Sequence, residues 1–278
     1  MLDRTPHTRL IAQPVAALPV ADLVRGKPVE DVAELLPRLF NLCRAAQRAA
    51  VRTALGLEVT AADMQAVRDE IRREHELKLG VMLPLALGMQ VSKAPTAFPA
   101  SPAKFDAFMA SDARLAQLLR GVCEAFGQGQ AVVGALPLVS PENGFSAGAI
   151  ENSVAGRVAD DPVMQHVEAQ HGHGPLWRTV ARAVELRKLA EGWQPEIIRT
   201  PRGILAPAAR GTYALMATTR ENRVETFHRV TPTDHLLATN GILQASLDTL
   251  PDRTHAEKLL AILDPCSPVD LTEVPADA

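Results

Sequence analysis

Cysteine is scarce in this chain, with three residues among 278. Cys43, Cys123 and Cys266 lie far apart and no Cys-x-x-Cys pair occurs, which excludes a secreted disulfide framework, a zinc ribbon and any four-thiolate metal site within one chain. A basic excess is also missing. Lys and Arg number 29 against 32 Asp and Glu, a net charge of −3, so nucleic acid and anionic lipid are not expected partners. No uninterrupted apolar run reaches the roughly 18 residues of a membrane helix. The longest candidate, Gly80 to Val91, is broken by Pro84, so no membrane insertion is expected. Met1 to Val20 carries Asp3, Arg4 and prolines at 6, 14 and 19 instead of a basic region, an apolar core and a small-residue cleavage site. The chain reads as cytoplasmic. What is present is apolar material, 47% of the residues, on a chain long enough to bury a core without covalent staples.

Helical periodicity dominates. After short extended pieces at Arg9 to Ala12 and Val15 to Leu18, apolar residues recur at three- and four-residue spacing from Val32 to Cys43. Pro37 is expected to end one helix and open a second that runs from Arg38 to Leu57. Further helices are expected from Thr60 to about Pro84, from Ser111 to Phe126, from Leu176 to Glu191, from Leu237 to Leu250 and from His255 to Ile262. The charges Asp69, Glu70, Arg72, Arg73, Glu74 and Glu76 read as a solvated face, with His75 among them. Residues 93–102 read as loop, and 127–148 as irregular apart from a short strand at 131–136. Alternation appears only late, in Ile197–Thr200, Gly203–Leu205, Thr212–Ala217 and Arg223–Val230, with Glu221-Asn222 as a turn. The expected fold is α+β and mainly α, one domain over residues 1–278, with a small antiparallel sheet near residues 197–230.

Most candidate chemistry is weak when read residue by residue. Cysteine is by default a small core hydrophobe, and Cys123, on an amphipathic helix, is read as one. The His171-Gly172-His173 loop offers two imidazoles, but Glu168 is the one nearby carboxylate. Gly127-Gln128-Gly129 lacks the third glycine of a dinucleotide fingerprint. Ser146 in Gly144-Phe145-Ser146-Ala147-Gly148 lacks the strand before it that a nucleophile elbow needs.

Two cysteines stand out by their surroundings. Pro37-Arg38-Leu39-Phe40-Asn41-Leu42-Cys43-Arg44-Ala45-Ala46-Gln47 resembles the amino-terminal Pro-Arg-x-Cys-Gly-x-Cys-x-x-x-His motif of nickel-iron hydrogenase large subunits. Phe40, Asn41 and Gln47 replace its first cysteine, glycine and histidine. Asp264-Pro265-Cys266-Ser267-Pro268-Val269-Asp270-Leu271-Thr272 resembles the carboxy-terminal Asp-Pro-Cys-x-x-Cys-x-x-His, with Val269 and Thr272 in place of the second cysteine and the histidine. Between them, Thr200-Pro201-Arg202-Gly203 resembles Ala-Pro-Arg-Gly, and Val230-Thr231-Pro232-Thr233 resembles Val-Pro-Ser/Thr-Thr-Trp, whose last two residues are here Asp234 and His235. The chain thus resembles a degenerate homologue of these large subunits, of the HupK/HoxV type of hydrogenase expression/formation protein.

That resemblance implies a shortened large-subunit fold without hydrogen activation. The family's nickel takes four thiolates, two of them shared with iron, and this chain retains the counterparts of one bridging cysteine, Cys43, and one terminal nickel ligand, Cys266. It implies a non-catalytic assembly factor with Cys43 and Cys266 as metal ligands, and with Arg202 and Thr233 donating hydrogen bonds to cyanide. The implied cargo is transiently bound iron carrying cyanide and carbonyl, with no nickel. The implied partners are hydrogenase maturation proteins and the hydrogenase large subunit. A metal-free structural mimic of the large subunit and a residual enzyme remain as rival readings. The carrier reading requires that Cys43 and Cys266, 223 positions apart in sequence, meet in space with Arg202 and Thr233 beside them.

Overall fold

The computed structural model describes residues 8–15, 18–39, 42–93 and 97–275. Phe40 and Asn41 of the first motif, and Ala16 and Ala17 of the second extended piece, lie outside these.

The centre of the molecule is one helix, α10 (Pro175–Ala190), on which Trp177, Val180, Ala181 and Val184 are wholly buried. Its start is set by Pro175 in the first turn and its end by Gly192, at a φ of 96°. Around it pack α4 (Ala61–Leu77), α7 (Arg114–Ala125), α8 (Val154–Arg157), α9 (Pro162–His171) and α13 (Arg253–Leu263). Both ends of the described chain join this body, because β1 (Thr8–Pro14) pairs antiparallel with β6 (Val269–Pro275). Thr60 and Asp63 close a reciprocal capping box at the start of α4. Beyond Leu77 the helix widens into a π turn, Lys78–Met82, before the short α5 (Leu83–Ala86).

The second body is a four-stranded antiparallel sheet in the order β2 (Ile198–Thr200), β3 (Gly203–Ala208), β4 (Gly211–Arg220), β5 (Arg223–Val230). These are the four segments read from alternation. Glu221 and Asn222 both take positive φ, 50° and 60°, as a tight primed hairpin turn requires. Against one face lie α1 (Val20–Val24), α2 (Val29–Leu39) and α3 (Arg44–Ala54), whose Val32, Leu36, Ala50 and Val51 pack on Ile204, Ala206, Leu215 and Phe227. The fold is thus α+β and mainly helical. Among the described residues no helix is long and apolar enough to cross a membrane.

Several local expectations need correction. Pro37 neither ends nor begins a helix. It lies inside α2, in the last turn, where its lost hydrogen bond is outweighed by burial of Val32, Ala33, Leu36 and Pro37 on one face. Residues 131–136 form no strand, only an isolated bridge from Val133 to His173. The stretch 237–250 yields α12 (Ile242–Leu247), preceded by α11 (Pro232–Leu236). The helices α1, α6 (Pro102–Met109), α8 and α9 were not expected from the sequence.

The turn between β3 and β4 deserves a test because it carries the Arg210-Gly211 pair. Gly211 has a φ of 148°, and an added Cβ would come within 2.5 Å of the Asn152 carbonyl oxygen. Asn152 in turn pairs with the backbone of Thr212 through both ends of its amide, at 2.7 and 2.9 Å. Gly211→Ala is expected to destabilise the protein by at least about 2 kcal/mol in urea denaturation, through backbone strain and displacement of Asn152.

Candidate functional site

Cys43 ends the short connection from α2 to α3. It takes a left-handed conformation, φ 55° and ψ 42°, as the N-cap residue of α3, and its side chain makes no capping bond. The exposed helix donors are satisfied from elsewhere: the Glu70 carboxylate, reaching across from α4, accepts from Ala45 N at 2.8 Å and Ala46 N at 3.1 Å. Released from capping, the Cys43 thiol turns inward among Ala46, Ala49, Ala208, Ala209 and Tyr213 and is 2% exposed. Burial pushes it up to about 11, opposed by the nearby Arg210 and reinforced by Cys266 and Glu70. Arg210 Nη1 lies 3.5 Å from its sulfur.

Cys266 reaches the same place from the other end of the chain. Asp264, in a left-handed C-cap conformation, ends α13 and turns the chain. The backbone N–H of Cys266 then donates to the Thr233 hydroxyl at 2.7 Å. Thr231, with Asp234, caps α11, which leaves Thr233 inside the helix and buried. The half-buried Cys266 is close enough to Cys43, Arg210 and Tyr213 to act on the charge of each. Cys43 thus touches the buried guanidinium, and Cys266 lies near enough to both for its charge to act on them.

A buried polar layer supports that guanidinium. Asp264 takes Lys78 Nζ at 2.7 Å, Arg182 Nη2 at 3.3 Å and Arg210 Nη2 at 3.4 Å. Arg210 Nε is 3.0 Å from Asp264 Oδ2, but its N–H makes no aligned hydrogen bond and stays a spare buried donor. One layer deeper, Glu185 accepts a bidentate pair from Arg157 at 2.6 and 2.9 Å and meets His75 Nε2 at 2.6 Å. Arg157 also donates to the carbonyls of Ala208 and Gly211, gripping both sides of the turn that carries Arg210. Burial opposes the charge on Glu185, but Arg157 and His75 hold its pKa down to about 2. A cavity of about 30 Å³, room for a water-sized group, is lined by Arg182, Arg210, Thr233, Asp264 and Pro265 among others.

Of the four residues singled out in the sequence, the structure brings Cys43, Cys266 and Thr233 together and leaves Arg202 outside. Arg202 is exposed in the β2–β3 turn, stacked 5.1 Å over the Phe145 ring and bonded to the Glu142 carbonyl. The arginine beside the sulfurs is Arg210, in Ala206-Pro207-Ala208-Ala209-Arg210-Gly211. That segment holds the Ala-Pro and Arg-Gly pairs with two alanines between them, and this was the legible signal. His75 is not solvated but wholly buried, because it faces Glu185 on α10. Glu70 is likewise 5% exposed. His173 stacks on Trp177 and pairs with Glu168, while His171 and Cys123 line a separate surface pocket. Among the described residues no group of three or more His, Cys, Asp or Glu side chains is placed to hold a metal ion.

Solved structures place this architecture in a known class. The nickel-iron-selenium hydrogenase of D. vulgaris Hildenborough in its reduced state matches with a TM-score of 0.60 at 12% identity, covering 94% of this chain and 99% of that one. Its as-isolated oxidized form matches with a TM-score of 0.55 at 12% identity, covering 93% and 98%. The fold is that of the hydrogenase large subunit. In sequence, the hydrogenase expression/formation protein HupK of Rhodobacter capsulatus is 44% identical over 278 aligned positions, covering 94% of this chain and 92% of that protein. The chain belongs to the HupK family of hydrogenase expression/formation proteins. No protein-family model matches it.

Two outcomes follow from the charge layer. Glu185 is held from its ordinary 4.5 down to about 2, and His75 is lowered from 6.5 chiefly by burial. The unfolded chain therefore binds more protons, and urea stability is expected to fall as pH drops through about 6.5. A further loss of about 3 kcal/mol is expected between about pH 4.5 and 2, and Glu185→Gln should flatten it. Near neutral pH, Cys43 in the native protein should be alkylated at least about 100-fold more slowly than in the urea-unfolded chain, as peptide mass spectrometry would record.

Proposed function

We propose that the chain is a non-catalytic maturation factor for nickel-iron hydrogenase, holding the iron-dicyano-carbonyl unit on Cys43 and Cys266 before it passes to the large subunit. The observation that carries this reading is the Cys43 sulfur against the buried Arg210, with Cys266 near enough to both for its charge to act on them. Membership of the HupK family and the large-subunit fold support the broader role.

The donor set suits such a cargo and not a resident ion. Two thiols are too few for a bare iron or nickel, yet they suffice for a metal that arrives with most of its ligands already attached. Arg210 replaces Arg202 as the hydrogen-bond donor, since its Nη1 stands at the Cys43 sulfur. Thr233 accepts the Cys266 amide through its oxygen and retains its O–H to donate. Because Cys43 is protonated at neutral pH, loading must displace its proton, with Arg210 compensating the thiolate that forms. Partners on this reading are the upstream maturation proteins and the large subunit.

A second reading, a metal-free mimic of the large subunit that occupies those partners, is favoured by the same protonated thiol. Infrared spectra of protein co-produced with the maturation machinery separate the two. Cyanide and carbonyl bands are expected in the wild type and their loss in Cys43→Ala and Cys266→Ala. A bare spectrum and no iron on metal analysis would sink the carrier and leave the mimic.

A further inference from the structure

Three charged side chains of the α4 helix and its π extension, one turn apart in succession, each hold a different part of the two-cysteine site. Glu70 caps the backbone directly behind Cys43, through Ala45 N and Ala46 N. Glu74 lies 3.4 Å from Arg210 Nη2. Lys78 takes Asp264 Oδ1 at 2.7 Å and the Ala261 carbonyl at 3.2 Å, and so pins the end of α13 two residues before Cys266. Lys78 is 2% and Glu70 5% exposed, and Glu74 is half-buried; long charged side chains rarely stay buried unless they are paired.

From this the structure assigns Glu70, Glu74 and Lys78 as a single template: positioning residues that fix Cys43, Arg210 and Cys266 relative to one another from one rigid helix. The π turn fits the assignment. It begins at Lys78, and the extra residue per turn shifts the helix surface locally, a feature frequent at functional sites. A helix is also stiffer than the loops that bear the cysteines, so a spacing set from it survives motion in them. Lys78 has a second effect. By occupying Asp264 Oδ1 at 2.7 Å it leaves Oδ2 to Arg210 Nε at 3.0 Å, and Arg210 Nη1 faces the Cys43 sulfur.

The assignment rests on the two-thiol reading of the site, but its test reads the thiols of the chain alone and needs no cargo. The full-length protein is alkylated with iodoacetamide at one fixed pH, and each cysteine is followed by peptide mass spectrometry, with Cys123 as an internal control on α7. In Lys78→Met, Cys266 should react about tenfold faster while Cys123 is unchanged, since the anchor of its segment is gone. In Glu70→Gln the acceleration should move to Cys43, again about tenfold, leaving Cys266 at the wild-type rate. Lys78→Arg keeps the charge that pairs with Asp264, so Cys266 should react more slowly than in Lys78→Met. The template idea is overturned if the rates of all three cysteines rise together in both variants, which is general loosening, or if neither Cys43 nor Cys266 changes. Missing infrared bands would end the carrier reading and leave this result standing.

Discussion

The structure depends on one carboxylate shared among three cations. Asp264 is largely buried, and taking it out of water is tolerable only because Lys78, Arg182 and Arg210 converge on it. Those cations come from the π turn, from α10 and from the β3–β4 turn, so the ion cluster ties the helical body to the sheet. Beneath it, the Glu185 pair with Arg157 and His75 fastens the same turn to α10 and α4. Charges so far from solvent add little net stability. They fix relative position, because leaving any member unpaired carries the full penalty of its desolvation.

That positional constraint explains how a chain with few ligands keeps a site. Cys43 gains its place from a left-handed backbone and a helix start capped by a distant glutamate, and Cys266 from a helix end and a threonine hydroxyl. Neither depends on a third or fourth cysteine. Phe40 and Val269 stand where the resembled motifs carry cysteine, and the chain still holds Cys43 against the Arg210 guanidinium with Cys266 nearby.

The sheet, most of the long helices and the cysteine-bearing motifs were legible because each rests on local pattern: alternation in β3 to β5, three- and four-residue periodicity in α10 and α13, a primed turn at Glu221-Asn222. Pro37 shows where such reasoning fails, since burial of α2 outweighs the local preference of one residue. The same holds for the charges of α4. On sequence alone Glu70 and His75 look like members of a solvated face, because nothing within the helix says that Ala45 and Glu185 wait opposite them.

Arg202 and Arg210 mark the boundary most clearly. Both precede a glycine and both sit in turns of the same sheet, eight residues apart, yet one faces solvent over Phe145 and the other lies against Cys43. The sequence by itself determined the fold class and singled out the two cysteines and the threonine, because composition and short motifs carry those. Only the tertiary structure decided which arginine joins them and which helix holds the assembly. Those choices depend on pairings across the whole length of the chain, and long-range electrostatic partners leave no local periodicity to read.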